Sequence, residues 1–413
     1  MGLALGLAAA ACSSTSAGTE QQVSANRAPM QRATTATTVA ANSQLATDLY
    51  HQLAAREQNF SFSPYAASIA LAQVGAGAAG ATATQLTVVQ HVGDQHQLEA
   101  GLNTLMQQVA SRDGDRQNDT RQGHVTVQIP IAVWGQLDTH VSQPFLNQLA
   151  RWFGAGMHLV DFRSDPDAAG GTINTWMADQ TANQLTRVVP TGQTTQATRL
   201  ITAAGTYIAA PWDQRFDVSR TRQDTFHLLN GSTQDATTMS LTAARGLLYD
   251  RGPGWQAVMV PYLGRQLAMV LIIPDQGSFA SYESHLDGPA LQAVLEGLAP
   301  TPLNLEMPRF QVSTNVDLRS ALTALGATSL FDPASAQLPG ITTDEPLSQA
   351  AADQVSYLSA DEEGSQASAP TAVVAQPPAT PATVSLRVDR PFLVTVVDRA
   401  SGEPLLLGRI VTP

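Results

Sequence analysis

The residues of this chain that could do chemistry are few and poorly spaced for catalysis. Gly75, Gly77 and Gly80 spell the G-x-G-x-x-G pattern of a dinucleotide site, which needs a strand before it and a helix after it. Here the pattern closes the Ala-rich helical run Ala66–Val74, so packing at a helix end is the better reading. A G-x-S-x-G nucleophile elbow is absent. His91 and His96 stand in a polar stretch without a cysteine or a clear carboxylate partner, which favours two solvated histidines over a metal site. Trp134, Trp152, Trp176, Trp212 and Trp255 suit a core better than a ligand cage. Neither a cofactor nor a metal is expected.

What the chain does offer is a peptide segment fit to be cut. Glu362–Pro381 carries almost no charge after its acidic start and is built of Ala, Ser, Thr, Val, Gln and Pro. Two strand-like apolar runs follow, Phe392–Val397 and Leu405–Val411, separated by the turn-rich Asp398–Pro404. A structureless loop this long is usually functional or disordered. Laid out as a strand, Ser365, Ala367, Ala369, Thr371, Val373 and Ala375 share one face, all small or β-branched. Gln366, Ser368, Pro370, Ala372, Val374 and Gln376 share the other. The segment is therefore either a disordered Ala/Pro linker or a loop that can become a strand. The alternation favours the loop.

Two stretches give the chain a family likeness. Leu386–Val396 reads LRVDRPFLVTV, and residues 361–374 read DEEGSQASAPTAVV. Together they closely resemble the C-terminal signature and the inhibitory hinge of the serpins, serine protease inhibitors with a metastable fold. Asn59–Gln85, Asn174–Leu185, Arg199–Trp212, Val260–Asp275, Leu305–Phe310 and Leu325–Ile341 follow in that family's order, so the resemblance runs from about residue 46 to 413. It implies one α+β domain, although length alone would suggest two or three. That domain would hold a large mixed five-stranded sheet A, sheets B and C, eight or nine helices and an exposed reactive-centre loop at about 362–385.

The resemblance also implies a mechanism and assigns residues to it. A serine protease, or a cysteine protease, cuts the loop and becomes trapped as an acyl-enzyme while the loop inserts into sheet A. The hinge would comprise Glu362, Glu363, Gly364, Ser365, Gln366, Ala367, Ser368, Ala369 and Pro370. Ser365 is small enough to bury, whereas Pro370 has no N–H for a ladder and would slow insertion. The reactive bond is placed at Ala379–Thr380, between Pro378–Ala379, counted from Glu362, and Thr380–Pro381, counted back from Pro391–Phe392. No Arg, Lys or aromatic residue lies between Glu362 and Leu386, which points to an elastase- or subtilisin-like target. Under the sheet, Asn59, Ser63, Pro64, Ala66, Ala204 and Gln354 would form the opening region. Ala66, Ala204 and Gln354 replace the family's frequent Ser, Asn and His there. Asn174, Trp176 and Thr181 keep the family's helix F pattern, while Asn183 and Gln184 replace a common Gly-Lys. The alternative is a non-inhibitory binding or carrier protein, for which Pro370 speaks; an enzyme on an unrelated fold comes third.

Charge and the N-terminus narrow the setting. Charged residues make up 14% of the chain, lysine is absent, and the net charge is −12. That balance excludes nucleic-acid binding, which rests on neutralising phosphates. Thr84–Ala100 contains no Arg, against a heparin-type polysaccharide site. Leu3–Ala11 is a short apolar run before Cys12, the one cysteine, so no disulfide forms within the chain. Residues 1–12 read as a bacterial signal peptide with a lipobox, Cys12 carrying the lipid, although a charged start is missing and Ala9 stands where Leu is usual. An ordinary signal peptide with an incidental cysteine is the alternative. Residues 13–45 read as a disordered tether, too poor in aliphatics to pack, ahead of the domain at 46–413. The expected protein is an exported monomer, secreted or held at the cell envelope, touching membrane only through that lipid.

Overall fold

Two strands of small and β-branched residues set the architecture. Leu200–Pro211 and Ala351–Ala360 run parallel, in register from Ile201 opposite Ala351 to Tyr207 opposite Tyr357. Leu200–Pro211 is buried along its whole length, as parallel strands covered on both faces are. Ile131–Gln136 flanks it antiparallel, with Met157–Val160 beyond, and Phe310–Asp317 flanks Ala351–Ala360. These five strands are the expected body of the large sheet. Four short additions bring it to nine: Thr19–Glu20 at the Met157 edge, Gly114–Gln117 and Gln122–Gln128, and Gly364–Ser365. The computed structural model describes residues 19–20, 25–32, 35–54, 58–244, 246–365 and 384–413.

A second sheet of seven strands holds the C-terminal hairpin, Phe392–Asp398 and Glu403–Ile410, every residue of both being buried. A third has four strands, with Val384–Arg387 at its edge. Nine α-helices among the described residues complete an α+β fold. Pro64–Gly75 lies buried beneath the large sheet; Ser63 Oγ caps it by accepting the Ala66 N–H, and Pro64 opens its first turn. Pro166–Gln180 covers the outer face, where Ile173 and Met177 pack with Ile201, Ala203 and Val355.

The tether boundary at residue 45 needs correcting. Thr35–Leu53 is a helix, and Thr38, Val39, Ala41, Asn42, Ser43 and Leu45 are buried in it. Aliphatic content misled here, because small residues pack closely and polar ones find partners: Asn42 Nδ2 donates to the buried Glu403 Oε1 at 2.8 Å. Residues ahead of the helix dock as well. Asn103 Nδ2 donates to the Ala28 carbonyl at 3.0 Å, and the Gln31 N–H donates to Thr104 Oγ1 at 2.7 Å.

The C-terminal strand is locked by one arginine. Arg409 is 2% exposed and donates to Glu283 Oε1 at 2.6 Å and to the carbonyls of Gln58 and Ala54 at 3.2 and 3.1 Å. The Tyr50 hydroxyl donates to the same carboxylate oxygen at 2.6 Å. Removing one partner of a buried ion pair leaves the other uncompensated. Arg409→Met should therefore cost about 3 kcal/mol of native stability, read as an earlier denaturant midpoint; an unchanged midpoint contradicts the lock.

Candidate functional site

The hinge leaves the Ala351–Ala360 strand through a tight turn and starts back into the sheet. Asp361 Oδ1 accepts the N–H groups of Glu363 and Gly364 at 2.8 and 3.0 Å, and the Asp361 N–H donates to the Gly364 carbonyl at 2.9 Å. Gly364 and Ser365 then pair antiparallel with Pro211 and Ala210. A Cβ on residue 364 would run into the Ala210 carbonyl oxygen and Pro211 Cα, so only glycine fits this approach. Ser365 is 1% exposed, and its hydroxyl donates to the Ser359 carbonyl at 2.7 Å. Beside it is the buried Tyr262 hydroxyl, which lacks a well-aligned hydrogen bond; burial pushes its pKa up.

Trp212 reads the hinge directly. Its backbone N–H donates to the Glu363 carbonyl at 2.8 Å and its indole N–H to the Asp361 carbonyl at 2.7 Å. The indole stacks on Tyr262, with ring centres 4.7 Å apart and planes 3° from parallel.

Three arginines hold the acidic pair. Arg309 donates to Glu362 Oε1 through Nε and Nη2 at 3.0 and 2.7 Å, and the Thr221 hydroxyl donates to the same oxygen. Burial opposes ionisation of Glu362, but these hydrogen bonds outweigh it and hold its carboxyl below the usual range. Glu363 is paired with Arg121 at 3.1 Å and Arg215 at 3.2 Å. No local pattern announces these partners, which lie 53 to 242 residues away. The remaining hinge residues, Gln366, Ala367, Ser368, Ala369 and Pro370, fall outside the described residues. So do Pro378, Ala379, Thr380, Pro381 and Cys12.

Below the hinge, the seam between the parallel strands Leu200–Pro211 and Ala351–Ala360 is closed. Gln354 bridges to the buried helix: its Oε1 accepts the Ser63 N–H at 2.7 Å and its Nε2 donates to the Ser63 carbonyl at 2.8 Å. Ala204 lies opposite Gln354 in register, and Ala66 contributes only its N–H to the cap. Asn59 belongs elsewhere. It accepts the N–H groups of Val411 and Thr412 at 2.7 and 3.0 Å, fastening the chain end instead of the seam. The residues missed are Ser61 and Ser356, whose hydroxyls meet at 2.8 Å. The alternation of Ser61 and Ser63 with Phe60 and Phe62 was the available signal.

The outer helix lies over the lower seam. Asn174 Oδ1 accepts the N–H groups of Val188 and Val189 at 2.8 and 2.9 Å, and Trp176 meets Trp134 edge-on with ring centres 5.6 Å apart. Thr181 Oγ1 accepts the Leu185 N–H at 3.0 Å and closes the turn. Asn183 takes φ 63°, which explains asparagine in place of glycine, since Asn tolerates the left-handed region. Gly205 sits under this helix; a Cβ there would strike Met177 and Leu185.

Both histidines weighed as metal ligands have carboxylate partners after all. His91 Nε2 is 2.6 Å from Asp48 Oδ2, and His96 Nδ1 is 3.1 Å from Glu99 Oε2. The partners come from another helix and from the next helical turn, so the histidines sit in separate pairs. No helix among the described residues is long and apolar enough to cross a membrane.

Comparison with known proteins gives a consistent likeness. A family model described as serpin (serine protease inhibitor) matches residues 40–413. Antithrombin-III of Mus musculus is 29% identical over 389 residues, covering 90% of this chain and 81% of its own length. Leukocyte elastase inhibitor of Xenopus laevis is 24% identical over 360 residues, covering 86% and 93%. Among solved structures, the thermophilic serpin tengpin in its native state aligns with a TM-score of 0.82 at 19% identity, covering 95% of this chain and 98% of its own. At that identity the structural likeness speaks for the fold alone.

Gly364→Val should expel the hinge strand, and Trp212 should report it as red-shifted fluorescence, because both of its N–H donors bond to this turn. The shift should vanish in a Trp212→Phe background; identical emission spectra for Gly364→Val and the parent chain would mean the hinge has not moved.

Proposed function

This chain belongs to the serpin family, a match to its model spanning residues 40–413, and from that premise we propose that it is a suicide-substrate inhibitor of serine proteases. The target protease attacks the Ala379 carbonyl with its serine, Thr380 departs as the new N-terminus, and an ester joins Ala379 to the enzyme. The freed segment then enters the seam as a new central strand before water hydrolyses that ester.

One observation carries the reading: Gly364 and Ser365 are already paired with Pro211 and Ala210 at the mouth of the seam. Extended at that register, the odd-numbered residues from Ala367 to Ala375 fall on the face of Ile208 and Ala210, which looks into the main core. These are the small side chains that the alternation had grouped. The register also defines what Pro370 costs. It would stand opposite Gly205, whose N–H donates away from the seam to the Pro130 carbonyl at 2.8 Å. In an antiparallel ladder, residues directly opposite point their polar groups both toward or both away from each other. Pro370 would thus deny a hydrogen bond to the Ala351–Ala360 strand alone, a penalty of about 1 kcal/mol. That is small beside the ladder and the apolar burial gained along the rest of the strand.

The target class follows from the small, uncharged residues between Glu362 and Leu386, which fit an elastase- or subtilisin-like pocket. A relative named as an elastase inhibitor is consistent with this. Leu3–Ala11 and Cys12 support a protein outside the cytoplasm, secreted or lipid-anchored.

Incubation with pancreatic elastase and with subtilisin tests the proposal. A detergent-stable complex of the summed masses, releasing a peptide that begins at Thr380, is expected. Ser365→Arg should abolish the complex but leave cleavage intact, because a charge cannot occupy the buried site between Ala210 and Ser359. Cleavage of the parent chain without any complex would hand the lead to the non-inhibitory carrier reading.

A further inference from the structure

On the outer side of the seam lies a buried carboxyl that the insertion mechanism does not call for. Asp353 is 2% exposed and stands opposite Ala203 on one neighbouring strand and Asp317 on the other. Gln193 Nε2 lies 2.6 Å from its Oδ1, while Asp353 Oδ2 and Gln193 Oε1 are buried without partners. That separation is short for an amide donor but normal for an O–H donor. A neutral carboxylic acid donating to the amide oxygen fits it, with the Gln193 amide turned over.

The bond's position gives it a consequence. Gln193 belongs to the connection that leads from the outer helix into Leu200–Pro211, whereas Asp353 belongs to the opposite seam strand. Their hydrogen bond crosses the line along which the sheet must part. We propose that Asp353 and Gln193 form a proton-controlled latch on this seam, closed when the carboxyl is neutral and released when it ionises. The proposal rests on the strand-insertion reading and adds a regulator to it.

The surroundings offer the ionised form no cation. From the neighbouring strand the carboxylate of Asp317 faces it, occupied with the N–H groups of Ala352 and Arg319. Arg319 directs its guanidinium to the carbonyls of Ala350 and Phe331. On the connection, Arg187 is exposed and Arg199 is paired with Glu345. The outer helix and its cap add only exposed acids, Asp165, Asp167 and Asp179. Burial accordingly pushes Asp353 up to about 8, and the charge of Asp317 adds to the rise; a Gln193 amide that donates its N–H to the carboxylate opposes the rise, whereas one turned to accept the acid proton does not.

The sign follows from proton counting. Opening exposes Asp353 to water and returns it to an ordinary value of about 4. Between about pH 4 and the closed-state value the closed sheet binds the extra proton, so its advantage is greatest in acid and shrinks as pH rises. Opening becomes easier by at most about tenfold per pH unit and levels off above about pH 8. The inhibitor is held shut in acid and released toward neutral and alkaline conditions.

Sheet opening can be timed without a protease, by annealing a synthetic peptide of residues 365–375 into the full chain and following native-gel mobility from about pH 5.5 to about pH 9.5. The parent rate should climb roughly tenfold or more between about pH 6 and pH 8, then flatten. Asp353→Asn should give a flat profile at the slow, acidic rate, and Gln193→Met should be fast already at about pH 6. A merely structural pair would make both variants faster. A flat parent profile, or Asp353→Asn retaining the parent slope, overturns the latch and leaves strand insertion standing. Should Asp353→Asn fail to fold, Gln193→Met at the parent's acidic rate overturns it alone. A peptide that anneals at no pH removes strand insertion itself, and the latch with it.

Discussion

Everything in this molecule turns on a parallel pair of strands that is hydrogen-bonded but replaceable. From Ile201 to Tyr207 one strand gives its seam-facing backbone groups to Ala351–Tyr357. Buried amides must stay paired, so this seam can part only if another strand supplies the same bonds. The antiparallel start at Gly364 and Ser365 is such a supply, lying where the seam begins. On the proposed mechanism the closed sheet is a state retained by a barrier, and its persistence is a matter of rate.

On that mechanism the rest of the structure bears on the barrier from three places. Beneath the sheet, Gln354 and Ser356 tie one seam strand by hydrogen bonds to Ser63 and Ser61, at the start of the buried helix and on the strand ahead of it. Above it, the helix Pro166–Gln180 and its connection lie across the line of opening, with Gly205 bare so that Met177 and Leu185 can settle there. At the mouth, Arg309, Arg121 and Arg215 fix the acidic pair. In a chain without lysine, guanidinium does all the pairing of carboxylates at the hinge. Its planar fork suits the two-point hold on Glu362.

Much of this was legible in residue types. The alternation along residues 365–376 marked the face a strand would bury, and the register at Ser365 and Ala210 agrees with it. The C-terminal apolar runs became a buried hairpin, because two long stretches of Val, Leu and Phe leave few other solutions. The tether was misjudged because aliphatic content is a weak guide where Thr, Ser and Asn find buried partners. Asn59 was grouped with the opening region by the family resemblance, yet it accepts the N–H groups of Val411 and Thr412 at the chain end.

By itself, the sequence carried the family resemblance, which implied the fold class and the hinge assignment, and it showed which face of residues 365–376 is small enough for a strand to bury. Only the tertiary structure decided which arginines hold Glu362 and Glu363, that Asn59 serves the C-terminus, and that Asp353 faces Gln193 across the seam. Each of those pairings joins residues distant in the chain, where neither period nor composition carries information. Asp353 shows the reason most plainly. A carboxyl's environment is set by what the fold packs around it, and a lone Asp in a strand looks no different from an exposed one until its neighbours are in place.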